Sequence, residues 1–145
     1  MQVIDILNAK GRDVMFLLAD ANILDAVVLL AAKRIGAVVV KDASGGIAGI
    51  LSERDVMRAL ATENVRALAL PVATYMTRAV ATCSETDSVE ALMGMITQGR
   101  FRHVPVVDGA GQLCGIVSIG DVVKAHVEET TREASNLREF IGAAG

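Results

Sequence analysis

Gly49-Ile50-Leu51-Ser52-Glu53-Arg54-Asp55 returns later in the chain as Gly115-Ile116-Val117-Ser118-Ile119-Gly120-Asp121, at a shift of 66 residues (121 − 55). The correspondence runs without a gap from Arg34–Leu60 onto Arg100–His126. Identical pairs include Arg34/Arg100, Val38/Val104, Val40/Val106, Asp42/Asp108, Gly45/Gly111, Ile50/Ile116, Ser52/Ser118, Asp55/Asp121 and Ala59/Ala125. The same shift sets Ile23 on Val89, Val27 on Met93 and Leu30 on Ile96. The chain is therefore an internal repeat, and its fold has to be read as one unit used twice.

Each unit has the same grammar. Ile23, Ala26, Val27 and Leu30 fall at i, i+3, i+4 and i+7, as do Val89, Leu92, Met93 and Ile96, which is the spacing of one apolar helix face. Asn22 and Ser88 stand where an N-cap is wanted. A strand follows, Ala37 to Val40 or His103 to Val107, then a turn containing Gly45-Gly46 or Gly109 and Gly111, then a second strand, Ile47 to Leu51 or Leu113 to Val117. A helix begins at Ser52 or Ser118, and short apolar stretches, Val14 to Leu18 and Val80-Ala81, precede the first helix of each unit. The order is β-α-β-β-α. A unit of about 50 residues buries too little apolar surface to stand alone, so the two are expected to pack sheet against sheet about a pseudo-twofold axis. The fold class is α/β of the α+β type, with repeats over 10–62 and 74–128 and a C-terminal helical extension over 129–145. The link Ala61 to Tyr75, with Pro71, reads as short helical pieces and loop. From Asp121 to Ile141 a single helix is expected, with Val123, Val127, Thr130, Ala134, Leu137 and Ile141 forming a stripe that has to face the module or a partner subunit.

Composition narrows the function classes. Hydrophobic residues are 52% of the 145, aromatics 3%, and Trp is missing, so the core is built from Val, Ile, Leu, Ala and Met. Mean hydropathy is +0.47. The longest apolar stretch, Ile23 to Ala32, contains Asp25 and ends at Lys33-Arg34, short of the roughly 20 residues that a spanning helix needs. The start, Met1-Gln2-Val3-Ile4-Asp5, lacks the pattern of a signal peptide, and a cytoplasmic protein is expected. Net charge is −3, with scattered basic residues and few aromatics, which argues against a nucleic-acid polymer as partner, as the short apolar stretch argues against a membrane. Cys83 and Cys114 lack CxxC or zinc spacing and are expected to be reduced and buried. No His/Cys/carboxylate grouping suggests a metal.

On the two seven-residue stretches quoted first, with His103-Val104-Pro105-Val106-Val107-Asp108 and the Lys10-Gly11-Arg12-Asp13 start, the chain resembles a tandem cystathionine-β-synthase (CBS) domain pair, or Bateman module, of the stand-alone bacterial kind. The resemblance covers residues 10 to 128. It implies a regulatory, non-catalytic sensor that binds an adenosine ligand in the cleft between the repeats: AMP first, with ADP, ATP, S-adenosylmethionine or NAD(H) as further candidates. It also implies a homodimer and a regulated partner that the sequence does not name. A dimerisation or scaffold module with no ligand is the alternative, and an enzyme of unrecognised type a third.

The residues allow the chemistry. Ser-x-x-Asp, at Ser52/Asp55 and Ser118/Asp121, is a capping box in which Ser caps the helix and the acid reaches back. Placed twice directly after a strand, it also offers a carboxylate to the vicinal hydroxyls of a ribose, and a hydroxyl and helix amides to a phosphate. In the resembling family these positions hold ribose and phosphate. Arg102 and His103 are a solvated basic pair or, on the family's pattern, the phosphate contacts of the ligand whose ribose meets Asp55. Gly36 and Ala37 take the equivalent places for the Asp121 ligand, which would lean instead on Arg54, Arg12 and backbone amides. A ligand-facing role is further expected for Asp13; Ile35, Val38, Val104, Ile50 and Ile116 offer apolar edges for adenine, most of them being simply core. His126 is expected on a helix surface. Catalytic readings fail on spacing: Gly115 to Gly120 is not GxSxG, and Gly109-x-Gly111-x-x-x-Gly115 is not GxGxxG.

Overall fold

The computed structural model describes residues 1–99 and 101–144; Arg100, paired above with Arg34, lies outside the described residues. The first repeat comprises β1 (Phe16–Leu18), α2 (Ile23–Lys33), β2 (Ala37–Lys41), β3 (Ile47–Ser52) and α3 (Glu53–Glu63), preceded in the chain by α1 (Val3–Lys10). The second comprises β4 (Cys83–Ser84), α4 (Val89–Gly99), β5 (His103–Val107), β6 (Leu113–Ser118) and α5 (Ile119–Ala144). Short 3-10 turns at Asn64–Ala69 and Val72–Thr74 fill the link, as its composition predicts. Each repeat forms a three-stranded sheet, ordered β1-β2-β3 and β4-β5-β6. In the first, β1 runs parallel to β2 and β2 antiparallel to β3, with Ala37 opposite Ser52 and Val38 opposite Leu51.

Local chemistry sets the element ends. The Asn22 side chain accepts the Asp25 N–H at 2.8 Å and Asp25 Oδ2 accepts the Asn22 N–H at 3.1 Å, a reciprocal cap on α2. Ser88 Oγ accepts the Ala91 N–H at 3.0 Å on α4. Gly45 and Gly111 turn the hairpins at φ +88° and +79°, a region that side chains disfavour. Ile23, Ala26, Leu30, Val38, Val40, Leu51 and Ala59 pack into the core of the first repeat.

One strand is displaced from its expected place. β4 lies at Cys83–Ser84 and not at Val80-Ala81. Cys83 pairs with Val106 as Leu17 pairs with Val40, so the strand sits where the 66-residue shift puts it, and the apolar pair just ahead is irregular chain. Cys83 is buried, but Cys114 is only half-buried, against expectation.

The repeats are completed by segments that the sequence pattern left outside them. The chain divides into two compact units, one of Met1–Arg12, Thr82–Gly111 and Gly115–Gly145, the other of Asp13–Ala81 and Gln112–Cys114. Helix α1 thus belongs with the second repeat, although Lys10 reads in sequence as the start of the first. The Val3 N–H donates to Asp87 O at 2.9 Å and the Val89 N–H to Met1 O at 3.1 Å. In the first repeat the Val72 N–H donates to Ala21 O at 2.7 Å and the Ile23 N–H to Leu70 O at 2.9 Å. Met1-Gln2-Val3 therefore serves the second repeat as Leu70-Pro71-Val72 serves the first. Val3 and Leu7 are fully buried in one unit, Val72 fully and Met76 nearly so in the other.

Helix α5 is continuous over 26 residues, as its pattern predicts. Val122 and Ala125 are buried, while Val123, Val127, Leu137, Phe140 and Ile141 are each more than half exposed in the single chain. Among the described residues no helix is long and apolar enough to cross a membrane.

Candidate functional site

The strand-to-helix junction is built the same way in both repeats. Ser52 ends β3 in extended backbone and caps α3. Its Oγ accepts the Asp55 N–H at 3.3 Å, and Asp55 Oδ2 accepts the Ser52 N–H at 2.9 Å. In the second repeat Ser118 Oγ accepts the Asp121 N–H at 3.2 Å, and Asp121 Oδ2 accepts the Ser118 N–H at 2.8 Å. The first helical amide is engaged too: the Glu53 N–H donates to Gly36 O at 3.0 Å, and the Ile119 N–H to Arg102 O at 2.8 Å. Positions 36 and 102 are thereby held at a helix N-terminus, whose dipole and amides favour an anion. In one repeat that position is a glycine, in the other an exposed arginine.

The two carboxylates differ in what else they meet. Arg58 Nη2 donates to Asp55 Oδ1 at 3.0 Å and to Tyr75 O at 3.2 Å, so both Asp55 oxygens are engaged and its side chain is 6% exposed. Lys10 Nζ donates to Asp121 Oδ2 at 2.7 Å and to Ile116 O at 3.0 Å, and Asp121 is 24% exposed. Beside this pair lies a cavity of about 140 Å³, lined by Asp5, Ile6, Ala9, Lys124 and Glu128 among others. Neither Arg58 nor Lys10 was given a ligand-binding role from sequence, although Lys10 opens the Lys10-Gly11-Arg12-Asp13 stretch quoted above. Arg58 carried a signal, since it stands three residues after Asp55 on the same helix. The pairing of Lys10 with Asp121 carried none, the two being 111 positions apart.

Burial raises the Asp121 pKa, but hydrogen bonds from Lys10 and Ser118 and the Lys10 charge outweigh it and hold the carboxyl below the ordinary aspartate range. A depressed carboxyl stabilises the fold above its unfolded value and loses that contribution as pH falls through the folded one. The Lys10–Asp121 link should therefore persist down to about pH 4 and break only below it. Hydrogen exchange of α1 amides is expected to be flat from neutral pH to about that point, after correction for intrinsic rates, and to rise beneath it. A rise near pH 6 would contradict the assignment.

The other sequence-selected residues separate into those at the junctions and those engaged elsewhere. Ile35 and Gly36 are half-buried, Ala37 is buried, and Arg54 and Asp13 are exposed, all in the unit that holds the first repeat. In the unit that holds the second repeat Arg102 is exposed and His103 half-buried. Arg12, expected as a phosphate contact beside Asp121, is instead ion-paired with Glu85 and donates to Asn8 Oδ1 at 3.1 Å. Val38 and Val104 are fully buried core residues, as read for most of this set, while Ile50 and Ile116 are half-buried. His126 lies exposed on α5. Among the described residues no group of three or more His, Cys, Asp or Glu is placed to hold a metal ion.

Duplicated three-stranded α/β units, each closing on a strand–Ser-x-x-Asp–helix junction, define a class of paired small-domain modules. The chain belongs to the CBS-domain family, whose sequence profile matches residues 4–62 and 72–128. Among solved structures it is similar to the CBS-domain containing protein of Agrobacterium tumefaciens, 46% identical, with a TM-score of 0.81 over 86% of this chain and 98% of that one. It is also similar to a CBS domain protein of Pyrobaculum aerophilum complexed with AMP, 28% identical, with a TM-score of 0.75 over 83% of this chain and 89% of that one. A mitochondrial CBS domain-containing protein of Arabidopsis thaliana is 32% identical over 146 residues, 94% of this chain and 70% of the relative.

Proposed function

We propose that the chain is a cytoplasmic, non-catalytic regulatory module that binds an adenosine nucleotide, AMP foremost, with ADP, ATP and NAD(H) as competitors for the same junctions. The observation that carries this reading is the duplicated helix start. Two helices each present a Ser hydroxyl and an Asp carboxylate at the end of a strand, with the residue before the partner strand tied to the first helical amide. The carboxylate suits ribose hydroxyls and the helix end suits phosphate. The AMP complex of the Pyrobaculum relative supports the ligand class. Ser52 and Asp55 stand at one junction, with Ile35, Gly36, Ala37 and Arg54 in the same repeat; Ser118 and Asp121 stand at the other, with Arg102 and His103 in the same repeat. The exposed apolar residues of α5 support pairing of two copies of the chain.

Mass spectrometry of small molecules released from the purified protein, followed by calorimetry with AMP, ATP, NAD and NADH, tests the proposal. An adenosine compound released in stoichiometric amount, or saturable binding of one of the four, is the expected result. A preparation that releases none and binds none leaves the scaffold reading in its place.

A further inference from the structure

The Asp121 carboxylate, read above as the partner of ribose hydroxyls, already holds a cation. Lys10 Nζ sits 2.7 Å from Asp121 Oδ2 and 3.0 Å from Ile116 O. One ammonium thus spans the polar groups of the strand and helix that form the second junction. With the Ser118 N–H also on Oδ2, both lone pairs of that oxygen are taken. Vicinal hydroxyls that grip a carboxylate across both oxygens have to displace one of the two donors. The Ser118 amide is fixed by the capping box, so the donor that gives way is the lysine.

The first repeat shows why this is a separate device. There the cation is Arg58, three residues along the same helix as Asp55. Its counterpart by the 66-residue shift is Lys124, which lines the cavity beside Asp121 while the ion pair is made by Lys10. Arg58 can leave Asp55 by a rotamer change on its own helix. Lys10 reaches Asp121 from α1, an element of its own.

The geometry points to Lys10 as a built-in competitor for the ligand at Asp121: the lysine occupies the ribose carboxylate in the free protein and has to be displaced when nucleotide binds. This deepens the nucleotide-binding reading and rests on it. It makes a counterintuitive forecast. AMP is an anion, so removing a nearby positive charge should weaken its binding by ordinary electrostatics. If Lys10 competes for the carboxylate, removing it should tighten binding instead.

The test is AMP calorimetry on the full chain carrying Asp55→Ala, so that only the Asp121 junction is read, with and without Lys10→Met. Lys10→Arg retains a cation, and Lys124→Met removes one from the same cavity without touching the ion pair. Thermal melts confirm that each variant is folded. Lys10→Met should bind AMP roughly five- to tenfold more tightly, the scale of one half-buried charged hydrogen bond. Lys10→Arg should bind like its parent, and Lys124→Met no more tightly. Weaker or unchanged binding in Lys10→Met, beside a parent that binds, overturns the competition and leaves the nucleotide reading standing. Equal tightening in Lys124→Met overturns it as well. Failure of every protein, the wild type included, to bind AMP overturns both.

Discussion

Asp55→Ala and Asp121→Ala should each weaken AMP binding about ten- to hundredfold at one junction, and the double substitution should remove measurable binding at both. A carboxylate taking hydrogen bonds from ribose hydroxyls contributes about 1.5–3 kcal/mol per charge-assisted bond, and 1.4 kcal/mol is a factor of ten. The cost to the fold is smaller. Each substitution removes one half of a capping box, about 1 kcal/mol. The Arg58 side chain is 60% exposed and stays solvated without its partner. The variants should therefore remain folded, so that calorimetry reads the ligand and not unfolding. A double variant that binds AMP like wild type, with a melt close to it, would show that the two carboxylates are caps alone.

Those carboxylates were legible because the repeat made them so. One Ser-x-x-Asp is an ordinary helix cap; the same four residues after the same strand, 66 positions on, select a pair of equivalent helix starts. The sheets, the hairpins and the long α5 followed from periodicity and glycine placement in the same way. Legibility ended where a residue acts through the partner segment of its unit. Helix α1 carries an i, i+3, i+4 pattern in Val3, Ile6 and Leu7, but eight residues do not say which repeat they complete. Lys10 and Arg12 stand two residues apart in one short basic stretch, and only Arg12 was given a role beside Asp121, yet Lys10 reaches Asp121 and Arg12 pairs with Glu85. Position 102 was chosen for its side chain, whereas the structure shows its carbonyl doing the same work as that of Gly36.

The segments that complete the repeats lead to the second large effect, on stability. Leu7 is fully buried, and a Cβ built on Gly115 would lie 2.7 Å from Leu7 Cδ2 and 2.9 Å from Cδ1. Leu7→Ala should cost about 2–5 kcal/mol through lost burial and the cavity left behind. Gly115→Ala should cost about 1–3 kcal/mol through overpacking. Since the methyls that the new Cβ would strike are those the first substitution removes, the double variant should be less destabilised than the sum, by about 1 kcal/mol or more. The first repeat supplies the contrast. A Cβ on Gly49 would meet Met76 Sδ at 2.7 Å, but also the Thr77 carbonyl oxygen at 2.7 Å. That carbonyl is fixed, because Thr77 and Ile50 exchange backbone hydrogen bonds at 2.9 and 3.0 Å. Met76→Ala should therefore fail to relieve Gly49→Ala, and that pair should stay close to additive. Urea denaturation of the six variants measures both cycles. Additivity at Leu7/Gly115, or rescue of Gly49→Ala by Met76→Ala, would mean that α1 and the link segment do not close the two repeats as described.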